Sequence, residues 1–119
     1  MKEYVVRLPW PDRKLHPNAR VHWGAKNRAT KTARTLAYFK TLEAGAGMLK
    51  ADGFHVKVEF FPPDRRRRDR DGMYSSCKAY FDGIADATKV DDSEYTFEMT
   101  KREPVRDGEV RLTIQVEVQ

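Results

Sequence analysis

The stretch RRRRDRDGMYSSCKAYFDGIADATKVDD, residues 65–92, decides how this sequence is interpreted. A run of arginines leads into an Asp-x-Asp pair, a segment of helical periodicity follows, and a second pair of aspartates closes the stretch. Apolar residues recur at helical spacing over about residues 71–87, which predicts one amphipathic helix there. Carboxylates are therefore expected before and after a helix, with arginines beside the first pair.

One face of this predicted helix is polar and the opposite face is apolar. Because successive residues turn by about 100°, four polar side chains are predicted to share one narrow face: Asp71, Ser75, Lys78 and Asp82. The opposite face, which we assign to the core, carries Met73, Cys77, Tyr80 and Ile84. A charged face is just as typical of solvated surface, so patterning alone leaves both interpretations open.

The aspartates of this stretch have the chemistry of a cation site. Carboxylates that converge on one point repel one another unless a cation lies between them. Mg²⁺ takes oxygen ligands and retains several waters, so two or three carboxylates are typical of its sites. Arginines beside such a cluster favour phosphate as the substrate group. The pattern predicts a site that binds both a phosphate and a divalent cation.

The remainder of the sequence predicts four strands and one further helix. The strands are expected over residues 2–8, 55–61, 94–101 and 109–118, and the helix over about residues 27–49 with Asn27 as its N-cap. A turn with Pro104, Asp107 and Gly108 predicts a hairpin between the last two strands. The order β-α-β-α-β-β predicts an α+β fold, one small domain over residues 1–119, with helices packed on one face of a small mixed sheet.

Charge and composition narrow the class of partner. The 119 residues include 23 Lys and Arg against 18 Asp and Glu, a net charge of +5, which favours a polyanion. No apolar run reaches the ~20 residues that span a bilayer. The charged first residues argue against a signal peptide, and the single cysteine, Cys77, fits a reducing compartment as a buried, unreactive thiol. We therefore expect a cytoplasmic protein without a membrane partner.

The motifs of the opening stretch resemble those of the RusA family of Holliday junction endonucleases. The matching segments are RRRRDRD at 65–71, KAYFDGI at 78–84, VDD at 90–92 and LPWP at 8–11. The resemblance implies a homodimer that cuts four-way DNA junctions with Mg²⁺ as cofactor, in recombination and repair. It also implies three metal-binding catalytic aspartates and one catalytic lysine, here Asp69, Asp71, Asp92 (with Asp91 as the alternative) and Lys78.

Two positions depart from the family pattern. The family often carries Asn after the second aspartate, where this chain has Gly72. The family's lysine lies four residues after that aspartate, where this chain has Ser75, and Lys78 follows one helical turn later. The departures leave two other functions open: a non-catalytic protein that binds branched or single-stranded DNA, or a less selective branched-DNA nuclease.

Several residues outside the acidic set are expected to contact DNA or the second subunit. The residues predicted to bind DNA backbone are Arg66, Arg67, Arg68, Arg20, Lys26, Lys31 and Arg34. For His16 and His22 a plain surface role is favoured over DNA contact, and for Trp10 and Trp23 loop anchoring is favoured over base stacking. Candidates for the dimer surface, each with core packing as the favoured role, are Phe60, Phe61, Tyr80 and Phe81.

Overall fold

A four-stranded sheet with helices on one face forms the protein. The computed structural model describes residues 1–117. The strands are β1 (Lys2–Pro9), β2 (Phe54–Phe61), β3 (Tyr95–Lys101) and β4 (Glu109–Val116), and the helices are α1 (Trp23–Glu43), α2 (Arg70–Ser76) and α3 (Lys78–Thr88). Two 3₁₀ turns, Arg13–Leu15 and Asp92–Glu94, lie in the connections after β1 and α3. The α+β class and the strand order along the chain are confirmed.

The sheet is mixed, with strand order β1-β4-β2-β3. β4 runs antiparallel to both β1 and β2, and β3 runs parallel to β2 at the far edge. The predicted hairpin between β3 and β4 is wrong, because β2 lies between them. After β3 the chain crosses the end of β2, where the N–H of Arg102 donates to the Phe60 carbonyl at 2.8 Å. A local turn signal does not specify which strands will pair.

Strict alternation along the central strands puts one face of the sheet in the core. The buried residues of that face are Phe54, Val56, Val58 and Phe60 in β2 and Val110, Leu112, Ile114 and Val116 in β4. They form one continuous core with Ala37 of α1 and Ile84 of α3. Each large buried side chain contributes roughly 1.5–3 kcal/mol. The prediction that helices cover a single face is confirmed.

Helix α1 begins and ends earlier than the sequence predicts. It starts at Trp23, because Nδ1 of His22 accepts a hydrogen bond from the N–H of Gly24 at 3.1 Å and so acts as the N-cap in place of Asn27. It ends at Glu43, and Gly45 follows with φ +86°, the left-handed conformation that closes helices. The predicted limits 27–49 are therefore wrong at both ends. Histidine is an uncommon N-cap, so its signal is weak in sequence.

The predicted second helix is interrupted at Cys77. This residue has φ −97° and ψ 0°, and it separates α2 from α3. The predicted core residues Met73, Cys77, Tyr80 and Ile84 are all buried, as expected. The prediction of one continuous helix is therefore wrong, whereas the four polar residues predicted to share a face are all exposed or half-buried. Apolar spacing detects burial but not a one-residue interruption.

The strand limits agree with the sequence to within a residue or two. β1 extends to Pro9, which is tolerated because β1 is an edge strand. β2 and β3 begin at Phe54 and Tyr95, and β4 ends at Val116. The predicted last strand also included Val118, which lies outside the described residues. Among residues 1–117, no helix is long and apolar enough to cross a membrane.

Candidate nucleic-acid interface and acidic site

A cleft of about 750 Å³ opens where the chain leaves β1 and β2. Its walls include Trp10 and His16 on one side and Arg66, Arg67 and Asp69 on the other. The loops that follow these strands lie together because β1 and β2 run in the same direction, each antiparallel to β4, so that both strands end at the same end of the sheet. The cleft brings the predicted phosphate-binding arginines to the first predicted catalytic aspartate.

Within the arginine loop, Arg68 has a structural role. Its Nη1 donates to the carbonyl oxygens of Asp64 and Arg66 at 3.2 and 3.0 Å. The same atom forms an ion pair with the Asp64 carboxylate at 2.9 Å, and the guanidinium lies 5.4 Å from the centre of the Trp10 ring. Hydrogen bonds from the backbone N–H of Arg66 and from Arg68 hold the pKa of Asp64 below its ordinary value. Arg68 therefore shapes the loop.

Arg66 and Arg67 are available to a ligand. Both are exposed, and within residues 1–117 neither side chain forms an ion pair. Arg65, the first of the run, is bound instead to Glu103 at 2.9 Å. The planar guanidinium is suited to phosphate oxygens. Two of the four consecutive arginines thus present free phosphate-binding groups at the cleft.

The two tryptophans have different environments. Trp10 is half-buried and packs edge-on against Phe60 with ring centroids 6.3 Å apart, so it anchors the loop as expected. Trp23 is 71% exposed and lies against the His22 ring at 5.7 Å. It stands at the start of α1, and the exposed residues Arg20 and Lys26 each lie three positions from it in the sequence. The loop-anchoring role favoured for Trp23 is therefore wrong, because its ring is not packed on the core, and base stacking is the alternative that stays open.

Asp69 and Asp71 are held at the start of α2. Asp69 is the N-cap, and its Oδ1 accepts a hydrogen bond from the N–H of Gly72. This bond fixes the carboxylate and leaves Oδ2 without a partner among the described residues. Asp71 lies in the first turn of α2, exposed and without a cationic partner in residues 1–117. A negative charge in that turn also suits the helix dipole.

The second aspartate pair separates into two roles. Asp91 caps the 3₁₀ turn, since its Oδ2 accepts from the hydroxyl of Ser93 and, at 3.1 Å, from the N–H of Ser93. These bonds, the hydroxyl bond first, lower the pKa of Asp91. Asp92 is exposed and has no such bond within residues 1–117. After burial, the charge of Asp92 is the second cause that raises the pKa of Tyr74.

Lys78 is the first residue of α3, exposed and without an ion pair among the described residues. A cation at a helix N-terminus opposes the helix dipole. One turn later, burial raises the pKa of Asp82, with further increases from Asp92, Asp86 and Asp91 and a decrease from Arg34. The charges of Asp82 and Asp92 thus lie close enough to interact, and Lys78 precedes Asp82 by one turn of α3.

The aspartates are not arranged as a preformed metal site within residues 1–117. Across residues 1–117, no three His, Cys, Asp or Glu side chains converge closely enough to hold a metal ion. Their carboxylate oxygens are nonetheless the ligand type that Mg²⁺ takes, and Mg²⁺ is commonly held by one or two carboxylates with water and substrate phosphate completing its shell. The donor set therefore fits this ion chemically, with ligands left for the substrate to supply.

Other predicted residues fall into clear environments. Arg20, Lys26 and Lys31 are exposed and form no ion pair within residues 1–117, whereas Arg34 is bound to Asp86 at 2.6 Å. The Cys77 thiol is buried, and burial raises its pKa. Among the dimer candidates, Phe60, Tyr80 and Phe81 are core residues and Phe61 is half-buried beneath the Arg111 guanidinium.

The chain is similar over most of its length to proteins named as crossover junction endodeoxyribonucleases. The crossover junction endodeoxyribonuclease RusA of Escherichia coli strain K12 is 30% identical over 122 residues, an alignment that covers 96% of this chain and 95% of that protein. The chain belongs to the RusA family. The crossover junction endodeoxyribonuclease of Enterobacteria phage 82 is 29% identical with the same coverage. An uncharacterized protein of Xylella fastidiosa is 40% identical over 113 residues, which is 92% of this chain and 74% of that protein. No family model matches the chain.

Two contacts near the predicted acidic residues of this RusA-family protein were not predicted from the sequence. Ser93 donates hydrogen bonds to the Asp91 carboxylate, and the only sequence signal for this contact is the D-x-S spacing typical of capped turns. The position of His16 in the cleft has no local signal, because it depends on the approach of a distant segment. Both contacts concern residues next to the predicted acidic set.

Proposed function

We propose that the protein is a Mg²⁺-dependent, structure-selective endodeoxyribonuclease that resolves Holliday junctions by paired symmetric nicks in recombination and repair. The observation that carries the proposal is the cleft that joins Asp69 to the unpaired Arg66 and Arg67. Asp71 and Asp92 add carboxylates without cationic partners in residues 1–117. The names of the RusA relatives support the reaction class.

The acidic residues are assigned to metal binding. Asp69, Asp71 and Asp92 would hold Mg²⁺, which when bound activates water and neutralises charge on the phosphoryl oxygens. Asp69 would do so with Oδ2 free, because its Oδ1 accepts a hydrogen bond from the N–H of Gly72. Asp91 is assigned to the cap of the turn, which orients Asp92 beside it.

The basic residues are assigned to the phosphodiester backbone. Arg66 and Arg67 bind phosphates at the cleft, and Arg68 keeps their loop in shape. Lys78 stabilises negative charge on the phosphate under attack. It is exposed at the N-terminus of α3, the end of a helix that favours a nearby anion. Arg20, Lys26 and Lys31 extend the positive surface along the segment before α1 and its first turns.

A homodimer accounts for paired cutting. A four-way junction has approximate two-fold symmetry, and a two-fold dimer presents two equal sites to it. One protomer carries one such acidic set, so two nicks at once require two protomers. Light scattering coupled to size exclusion gives the mass in solution, and a monomeric mass with and without junction DNA would overturn this part of the proposal.

The test is cleavage of a labelled synthetic four-way junction, with Mg²⁺ and with excess EDTA, beside a linear duplex of the same sequence. The expected result is paired nicks that require Mg²⁺ and spare the duplex. Asp71→Asn should abolish cleavage, because a carboxylate assigned to the metal is lost. It should retain junction binding, because a negative charge near phosphate is removed. Glu43→Gln, an equal change of charge at the end of α1, should cleave as the parent does.

The second function left open is a binding protein without catalysis. It is favoured by one observation, the lack of a preformed three-residue metal cluster within residues 1–117. Tight binding of the junction without nicks in Mg²⁺ and Mn²⁺ would support this function and overturn the nuclease. Equal cutting of junction and duplex would instead support a less selective nuclease.

A further inference from the structure

His16 is fixed in the cleft by the chain around it. It follows the 3₁₀ turn Arg13–Leu15, and its backbone N–H donates to the Arg13 carbonyl at 3.1 Å. Its ring Nδ1 accepts a hydrogen bond from the N–H of Asn18 at 3.0 Å. A neutral imidazole that accepts at Nδ1 carries its proton at Nε2. The ring therefore presents a defined Nε2–H donor.

That donor lies against the first turn of α2, above Gly72. A Cβ placed on Gly72 would be 2.7 Å from Nε2 of His16 and 3.0 Å from Oδ1 of Asp69. Contacts of 2.7 Å are too short for a carbon, so a side chain at this position would displace the imidazole. Gly72, which departs from the family pattern, is thus explained by the close approach of His16.

Nε2 of His16 donates to no side chain or carbonyl among the described residues, although the ring is half-buried. It lines the same cleft as Arg66, Arg67 and Asp69. No buried side-chain N or O atom among the described residues lacks a partner, so this Nε2–H is open to solvent in the cleft. An anionic oxygen of a ligand bound there can take the place of water as its acceptor.

We infer that His16 is a substrate-contacting residue whose Nε2–H donates to a non-bridging oxygen of a DNA backbone phosphate bound at the cleft beside Asp69. Gly72 keeps the space in which the imidazole sits. The inference rests on the proposed DNA substrate and adds a neutral donor to the arginines that hold the phosphate. It does not require metal, because the contact is made on binding.

The experiment measures the dissociation constant for a four-way junction in EDTA, by fluorescence anisotropy, for four single variants, one of them a control, and one double variant. His16→Ala should raise the Kd by about 10-fold or more, the size typical of a hydrogen bond to a charged group. His16→Gln, whose amide N–H replaces the donor, should recover most of that loss. Gly72→Ala should weaken binding to a similar extent, because its Cβ displaces the ring.

The double variant His16→Ala/Gly72→Ala decides between a contact and a structural role. If both changes remove the same hydrogen bond, the double variant binds no worse than either single variant. His55→Ala, a histidine on the open face of the sheet, is the matched control and should bind as the parent does. Melting temperatures should remain close to that of the parent for His16→Gln and His55→Ala.

A Kd for His16→Ala within about 2-fold of the parent, or fully additive losses in the double variant, would overturn the inference. A lower melting temperature in all three His16 and Gly72 single variants, with Kd unchanged for the folded protein, would also overturn it in favour of a structural role. Failure of the proposed nuclease is separate: a parent that binds junctions without cutting them leaves every Kd comparison intact.

Discussion

Arg34 of α1 and Asp86 of α3 are joined by two parallel hydrogen bonds, from Nε to Oδ2 at 2.6 Å and from Nη2 to Oδ1 at 2.9 Å. The pair links the two helices that cover the sheet. Its side chains are 50% and 39% exposed, so solvent screening limits its net contribution to roughly 0.2–1 kcal/mol. The hydrogen bond from Arg34 lowers the pKa of Asp86.

Arg34→Ala should therefore lower the free energy of unfolding at neutral pH by up to about 1 kcal/mol. A carboxyl group with a lowered pKa stabilises the fold above its unfolded pKa of about 3.9, and this is lost as the pH falls through the folded pKa. Urea unfolding at neutral and acidic pH should show a difference that disappears in acid. A difference that persists there would contradict the ion pair as its cause.

The same variant also tests Arg34 as a DNA-binding residue. Because the Arg34 guanidinium is engaged by Asp86, Arg34→Ala should weaken junction binding less than Lys31→Ala, whose side chain is exposed and unpaired among the described residues. Anisotropy titrations of both variants at one salt concentration make the comparison.

Asp91 and Asp92 should respond differently to substitution. Asp92→Asn is expected to reduce junction cleavage by at least 100-fold with little change in stability, since Asp92 makes no side-chain hydrogen bond within residues 1–117. Asp91→Ala removes the cap on Ser93 and should lower the free energy of unfolding by about 1 kcal/mol. Single-turnover cleavage and urea unfolding on both variants separate the roles, and the reverse assignment predicts the reverse pattern.

Lys78→Ala should reduce the cleavage rate and leave the fold as stable as the parent or slightly more so. The lysine lies at the N-terminus of α3, where removing a positive charge relieves an unfavourable interaction of roughly 0.3–1 kcal/mol with the dipole. Loss of cleavage together with a lower melting temperature would assign Lys78 to folding instead. Lys50→Ala, an exposed lysine outside α3, is the control.

Among the consecutive arginines, we expect Arg66 and Arg67 to affect DNA binding and Arg68 to affect stability. Arg66→Ala and Arg67→Ala are expected to weaken junction binding and each to reduce the slope of log K against log salt by about 1. Arg68→Ala should instead lower the melting temperature, because Arg68 bonds to two carbonyls and lies over Trp10. Lys2→Ala, at the opposite end of β1 from the cleft, should leave the slope close to that of the parent.

Gly83 sets the distance between the two long helices. A Cβ there would meet the carbonyl oxygen of Arg34 and would lie 2.8 Å from the Cβ of Ala37. Gly83→Ala should therefore lower the free energy of unfolding by about 1–3 kcal/mol despite the higher helix propensity of alanine. Thermal unfolding measures the change, and a stabilised Gly83→Ala variant would show that the helices separate easily.

Sequence alone determined the faces of the elements. The alternation of β2 identified Val56, Val58 and Phe60 as core, because a strand turns its side chains to opposite sides with a period of two. Helical spacing identified Met73, Cys77, Tyr80 and Ile84 as buried, although the helix is broken at Cys77. The motifs of residues 65–92 indicated the family that comparison then showed.

Only the tertiary structure decided what those elements meet. The insertion of β4 between β1 and β2 depends on pairing energies between distant segments, which the turn after β3 does not encode. Two contacts join residues far apart in the chain: the ion pair of Arg34 with Asp86 and the packing of the His16 ring against Gly72. Local pattern records which side of an element is buried, whereas the neighbours on that side are fixed by packing of the whole core.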